Sequence, residues 1–182
     1  MSIRIYPIDS QNGNTYVYAA SPSSGTATNG QTIDVTFTVS YYCTSGGVCD
    51  SVFGSTPILL ANWTYEQADQ IIPGTQLLVY DASTGNYTSM AVNGIYSDTH
   101  STMVIINGLL NISLNQTVLT DKGYVSAENL TIGSYVFVPF ANSYIKVSSI
   151  NIEYGSFLMY DFVFNSGTQG YIAWWYVLSS DS

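Results

Sequence analysis

Positive charge is almost missing from this chain: 3 Lys+Arg stand against 12 Asp+Glu among 182 residues, a formal net charge of −9, and only 8% of residues are charged. A nucleic-acid-binding face needs clustered Lys and Arg, and Arg4, Lys122 and Lys146 lie too far apart in sequence to build one. No run of about eighteen apolar residues occurs, so no membrane-spanning helix is expected. Met1 to Pro7 carries one positive charge with no apolar core after it, so no signal peptide is recognisable. Cysteine is confined to Cys43 and Cys49 and histidine to His100. One histidine and one cysteine pair cannot complete a zinc site, so neither a metal nor a cofactor is expected. A Gly-rich phosphate loop followed by Lys is also absent.

What is present excludes disorder and long helices. Apolar residues make up 46% and aromatics 14%, with 16 Tyr, far more than a solvated polar tract carries. Hydrophobic periodicity is two, as in Ile33 to Tyr41, where apolar and polar side chains alternate without a slip. Further strands are expected at Thr15 to Ala20, Pro57 to Leu60, Gln76 to Asp81, Ser89 to Tyr96, Met103 to Ile106, Leu109 to Ser113, Ser134 to Val138, Ile145 to Tyr154, Phe157 to Phe164 and Tyr171 to Leu178. Asn-Gly at 12–13, 29–30, 93–94 and 107–108, with Asp81 to Gly85 and Asp121-Lys122-Gly123, supply the hairpin turns. Only Thr64 to Ile72 reads as helical, stopped by Pro73-Gly74. The fold class is all-β. The chain divides into a short N-terminal β segment, residues 1–50, and a larger β domain, residues 51–182.

Cys43 and Cys49 frame a small loop, and a local disulfide is expected there, contributing roughly 2 kcal/mol by restricting the unfolded chain. Asn-x-Ser/Thr sequons stand at Asn62, Asn86, Asn111, Asn115 and Asn129. They are either glycosylation acceptors or the chance product of a chain rich in Asn, Ser and Thr.

Residues 51 to 178 carry an ordered series of motifs. Ser51-Val52-Phe53-Gly54-Ser55-Thr56-Pro57 places a hydroxyl nucleophile before a Gly-Ser-Thr turn. Ala68 to Leu77 and Val79 to Asn86 follow, and Leu110 to Thr120 comes next. Gly123 to Tyr135, Met159 to Phe164 and Gly170 to Leu178 close the series. In this order the motifs resemble the Hint superfamily, the all-β domain of inteins and hedgehog autoprocessing proteins. The resemblance implies a nucleophile at Ser51 that attacks the carbonyl before it, turning a peptide bond into an ester. It also implies a Thr-x-x-His block in which the His protonates the departing amide nitrogen.

This chain departs from that pattern where protons must move. The Thr-x-x-His positions hold Ser113 and Gln116, and Gln cannot exchange a proton near neutral pH. Ser179-Ser180 stand where the resemblance would place the closing His-Asn pair and Gln169 where it would place the closing-hairpin His, and no flank to ligate is expected after Ser182. His100 falls in the polar stretch Asp98 to Thr102, outside every motif, and reads as a solvated or hydrogen-bonded loop residue. No base is visible beside Ser51.

These remnants imply a fold kept and a reaction lost, hence no enzyme activity. The expected role is a structural or assembly protein of an archaeal virus particle or extracellular surface, which the composition resembles. Its partners would be copies of itself or other surface subunits. Two alternatives stay open. One is a glycan- or protein-binding module using Tyr41-Tyr42 or Trp174-Trp175-Tyr176. The other is autoprocessing that cleaves before Ser51.

Overall fold

The computed structural model describes residues 50–165 and 170–180, together with the strand backbone of 15–21 and 36–42. Cys43, Cys49 and Gln169, and the side chains of Tyr41 and Tyr42, lie outside the described residues. The chain divides into two units, Met1–Gly47 and Val48–Ser182. In the smaller unit β1 (Thr15–Ser21) and β2 (Thr36–Tyr42) pair antiparallel, Thr15 opposite Tyr42 and Ser21 opposite Thr36. Thr36, Thr38 and Val39 in β2 favour extended backbone, because branching at Cβ restricts χ1.

The larger unit opens with β3 (Val52–Phe53), β4 (Pro57–Leu59), β5 (Tyr65–Gln67), β6 (Gln76–Asp81), β7 (Asn86–Ala91), β8 (Gly94–Ile106) and β9 (Leu110–Ile112). It continues with β10 (Thr117–Thr120), β11 (Gly123–Ser126), β12 (Tyr135–Val138), β13 (Ser143–Lys146), β14 (Ile150–Val163), β15 (Gly170–Ala173) and β16 (Tyr176–Ser179). Among the described residues the helical pieces are single 3-10 turns at Ala68–Gln70, Ala127–Asn129 and Pro139–Ala141. None is long and apolar enough to cross a membrane.

Strands β8, β14, β3 and β9 form a circuit, since β9 pairs with both β3 and β8. The second sheet runs β13-β12-β10-β16-β15-β4-β5, with β11 on β10 and the β6–β7 hairpin on β15. Its central strands are apolar on both faces, and this explains the unbroken run Tyr171 to Leu178. Leu77, Val79, Val118, Tyr171, Ala173, Tyr176 and Leu178 face the main core, shared with Val52, Ile112 and Phe162 from the other strands. The alternate residues Leu78, Tyr80, Leu119, Ile172 and Val177 fill a second cluster with Leu59 and Phe137. Full burial of each such side chain contributes about 1.5–3 kcal/mol.

The two halves of the domain repeat one local design. In the first, Thr56 N–H donates to Phe53 O, Ala68 N–H to Thr56 O and Asp69 N–H to Gly54 O. In the second, Gln116 N–H donates to Ser113 O, Ala127 N–H to Gln116 O and Glu128 N–H to Leu114 O. Buried Ala68 and Ala127 each open a 3-10 turn, and Gly74 (φ 94°) and Gly133 (φ 103°) each end the following loop. Those positive φ values are the ones glycine adopts without a Cβ clash.

Several sequence expectations are corrected. Thr64 to Ile72 is not helical: β5 pairs with β4, and only Ala68–Gln70 turns. Ser89 to Tyr96 spans the end of β7 and the start of β8. The expected break at Gly155-Ser156 is a bulge within one long strand, since β14 shifts register on β8 between Tyr154 and Phe157. Tyr171 to Leu178 is a hairpin that reverses at Trp174-Trp175, with Trp174 at φ 53°. This turn has no Gly or Asn, and tertiary bonds hold it: Trp174 N–H donates to Pro57 O at 2.8 Å, and Tyr65 Oη donates to Trp174 O at 2.7 Å. Strands β10 and β11 were not expected. Asn107-Gly108 does form the expected turn between β8 and β9, both residues at positive φ.

Candidate functional site

Ser51 enters the fold just before β3, which is wedged between β9 (Val52 opposite Ile112) and β14 (Val52 opposite Tyr160). Two close approaches fix the turn after it. A Cβ on Gly54 would stand 3.0 Å from the Tyr160 ring, so only glycine lets β14 pack here without displacement. The Thr56 hydroxyl donates to Asn111 O at 3.3 Å and ties the turn to β9.

Ser51 and Ser113 then lock together. Ser51 N–H donates to Ser113 Oγ at 3.1 Å, and Ser113 N–H donates to Ser51 O at 2.9 Å. The Asp50–Ser51 amide therefore has its nitrogen held by a hydroxyl. Both serines are buried. The third member is His100, which is neither in a loop nor solvated. It lies in the middle of β8, 7% exposed, with Nε2 3.5 Å from Ser51 Oγ. The expectation that no base stands beside Ser51 is corrected by this contact. Burial pushes the imidazole pKa below its ordinary 6.5, and nearby Asp98 opposes that shift in part. The ring is therefore neutral at pH 7.

Gln116 sits at the far end of the same turn and is fully buried. Its Nε2 donates to Ser179 O at 2.8 Å and Thr117 O at 3.2 Å, while its Oε1 accepts from Tyr171 Oη at 3.1 Å. Thr117 Oγ1 and Ser179 Oγ share a further short hydrogen bond. Ser180 is buried beyond them. The predicted positions thus separate into two groups: Ser51 with Ser113, and Gln116 with Ser179. His100 joins the first and Tyr171 the second, and neither was expected. The signal for His100 was present, since Ser97 to Thr102 contains no Gly, Pro or Asn to interrupt a strand.

Asp161, also fully buried, accepts from Phe162 N–H through Oδ1 at 2.7 Å, on the strand that flanks β3. No group of three or more His, Cys, Asp or Glu is placed to hold a metal among the described residues. Of the sequons, Asn62, Asn86 and Asn129 are exposed, whereas Asn111 and Asn115 are half-buried.

The aromatic surface differs from the one expected. Tyr176 is core, Trp174 packs against the core, and its ring meets the exposed Trp175 edge-on at 6.4 Å. These two occupy a turn, so the alternation of a strand does not apply to them. A larger ring array lies over the second cluster. Trp63 and Tyr87 both contact Phe140, with Tyr87 stacked parallel to it at 6.0 Å, and Tyr80 and Phe137 continue the array inward.

By sequence, neither a family model nor a curated protein matches this chain. Solved structures do. A bacterial intein-like domain from Clostridium thermocellum superposes with a TM-score of 0.63 at 18% identity, covering 74% of this chain and 100% of that one. The TvoVMA intein gives 0.61 at 21% identity over 76% and 100%. A DnaB intein from Synechocystis sp. PCC 6803 gives 0.62 at 13% identity over 73% and 99%. Identities this low speak for the fold alone, and the fold is the one expected from the motif order: a Hint-like, all-β domain of the kind found in inteins.

Proposed function

We propose that the domain makes one cut in its own chain, between Asp50 and Ser51, and has lost the splicing half of the reaction. The observation that carries this reading is the locked Ser51–Ser113 pair at the first residue of a Hint-like fold. Attack by Ser51 Oγ on the Asp50 carbonyl carbon forms a C–O bond as the C–N bond breaks, leaving an ester and a free Ser51 amine. Water then hydrolyses the ester and restores the hydroxyl. Ser179 and Ser180 have no side-chain amide nitrogen and cannot cyclise as an asparagine would, so no second cut follows. Incubating the purified full chain at neutral pH and weighing it intact tests this. A fragment ending at Asp50 supports the cut, and a single unbroken chain overturns it.

A second reading has its own support. Gln116 is bonded through both ends of its amide, which suits a brace better than a proton carrier. With the low charge and the exposed rings of Trp63 and Phe140, it favours a silent structural or assembly subunit of an archaeal virus particle or extracellular surface. In that case the chain stays whole and forms regular particles or filaments under the electron microscope.

A further inference from the structure

We infer that His100 is the catalytic base of the Ser51 reaction, a proton carrier supplied from β8 and not from the Ser113–Gln116 block. The inference rests on the cleavage reading above and adds to it the residue that moves the proton.

Geometry carries it. His100 is the chain's one histidine, and its Nε2 lies 3.5 Å from Ser51 Oγ, within the range from which catalytic hydrogen bonds tighten when the reaction begins. The strand is irregular at this point. Opposite it, β14 accommodates Gly155 and Ser156 in a bulge, and the ladder resumes at Phe157 opposite His100. Bulges of this kind re-aim neighbouring side chains. The Phe157 ring is itself fixed edge-on against Phe53, at 6.1 Å, on the strand that follows Ser51. His100 is consequently buried although Ser97, Asp98, Thr99 and Ser101 around it are exposed.

The proton path closes on one residue. With its own proton on Nδ1, His100 accepts the Ser51 hydroxyl proton at Nε2 as Oγ bonds to the Asp50 carbonyl carbon. When the C–N bond breaks, its electron pair stays on Ser51 N, which takes that proton back from His100 and becomes the amine. The oxygen and the nitrogen belong to the same residue, so one imidazole serves both, and Ser113 Oγ keeps the nitrogen in place. Ester hydrolysis consumes one water, and no other reactant is needed.

The titratable groups around His100 are few. Asp98 on its own strand acts on it and favours the charged ring. On β14 the residue opposite is Phe157, while Glu153, Tyr154, Tyr160 and Asp161 stand opposite Met103, Thr102, Ser97 and Tyr96. Asp50 precedes Ser51 on the entering chain. Cleavage therefore rises with pH through a single step below 6.5 and is flat above it.

The test follows cleavage of the full chain by intact mass from pH 5 to pH 8, for the wild type, Ser51→Ala, His100→Ala and His100→Gln. The expected result is a wild type that cuts before Ser51, a silent Ser51→Ala, and both His100 variants slowed at least about 100-fold with the pH step gone. His100→Gln keeps a polar side chain of similar reach and answers the question should His100→Ala fail to fold. Wild-type rates and an unchanged pH profile in His100→Gln overturn the role of His100 and leave the Ser51 reading standing. A wild type that never cuts, or a Ser51→Ala that does, overturns the reading beneath it.

Discussion

The two buried polar groups meet at opposite ends of the Ser113–Gln116 turn, yet they differ in what they hold. At the Ser51 end, the Ser51 hydroxyl lies 3.5 Å from the His100 imidazole and the Ser51 amide donates to Ser113 Oγ. At the Gln116 end, every named polar atom is occupied in joining β10 to β15 and β16. The internal repeat sharpens the contrast. Phe53 and Ser113 occupy equivalent places in it, as do Thr56 and Gln116, so a single local design supplies a spacer in one copy and a functional contact in the other. An unpaired buried polar group costs about 1–3 kcal/mol, so the hydrogen bonds named at both ends help keep these side chains in place.

Ser51→Ala breaks the comparison most completely. Cleavage is expected to vanish while the midpoint of urea unfolding hardly moves, since the backbone bonds to Ser113 survive the change. Gln116→Leu acts on the other axis. It leaves Ser179 O and Tyr171 Oη buried without this partner, and denaturant unfolding should show a loss of about 2–4 kcal/mol. The smallest effects are those of pH on the fold. The His100 pKa lies below its unfolded value, so the unfolded chain binds the proton first and stability declines as pH falls below 6.5. Asp81 acts only in stronger acid. Hydrogen bonds from Ser83 and Thr84 lower its pKa from 3.8 to about 2, so what it contributes is present above 3.8 and lost as pH falls through 2. Thermal melts between pH 8 and pH 2 should resolve the two steps in that order.

Much of this arrangement was legible in the sequence, for stated physical reasons. Gln76 to Asp81 reads as a strand because its ends are polar and its middle apolar, and the structure places β6 there. Ser51 stood out because Gly54 and Thr56 follow it, and each has a contact that explains it. The failures come from tertiary forces that leave no local mark. Trp174 turns the chain with no turn residue because Pro57 and Tyr65 hold it. Thr117 to Thr120 is short and carries polar ends, so its strand character depends on β11, β12 and β16 around it. His100 was read as a loop residue because its neighbours are polar, and its burial comes from Phe157 across the ladder and Ser51 beside it. The internal repeat was missed because it lives in backbone hydrogen bonds more than in side-chain identity: Ala68-Asp69-Gln70-Ile71 and Ala127-Glu128-Asn129-Leu130 share only the alanine.

The central claim is that Ser51 makes an ester and the Gln116 group does not react. Hydroxylamine tests it most directly, because at neutral pH it attacks an ester far faster than an amide, and fragment masses set such a cut apart from any at the four Asn-Gly bonds. Added to the purified full chain at neutral pH, it is expected to release a fragment that ends in a hydroxamate at Asp50, with a partner that begins at Ser51. An intact chain after the same treatment contradicts the account.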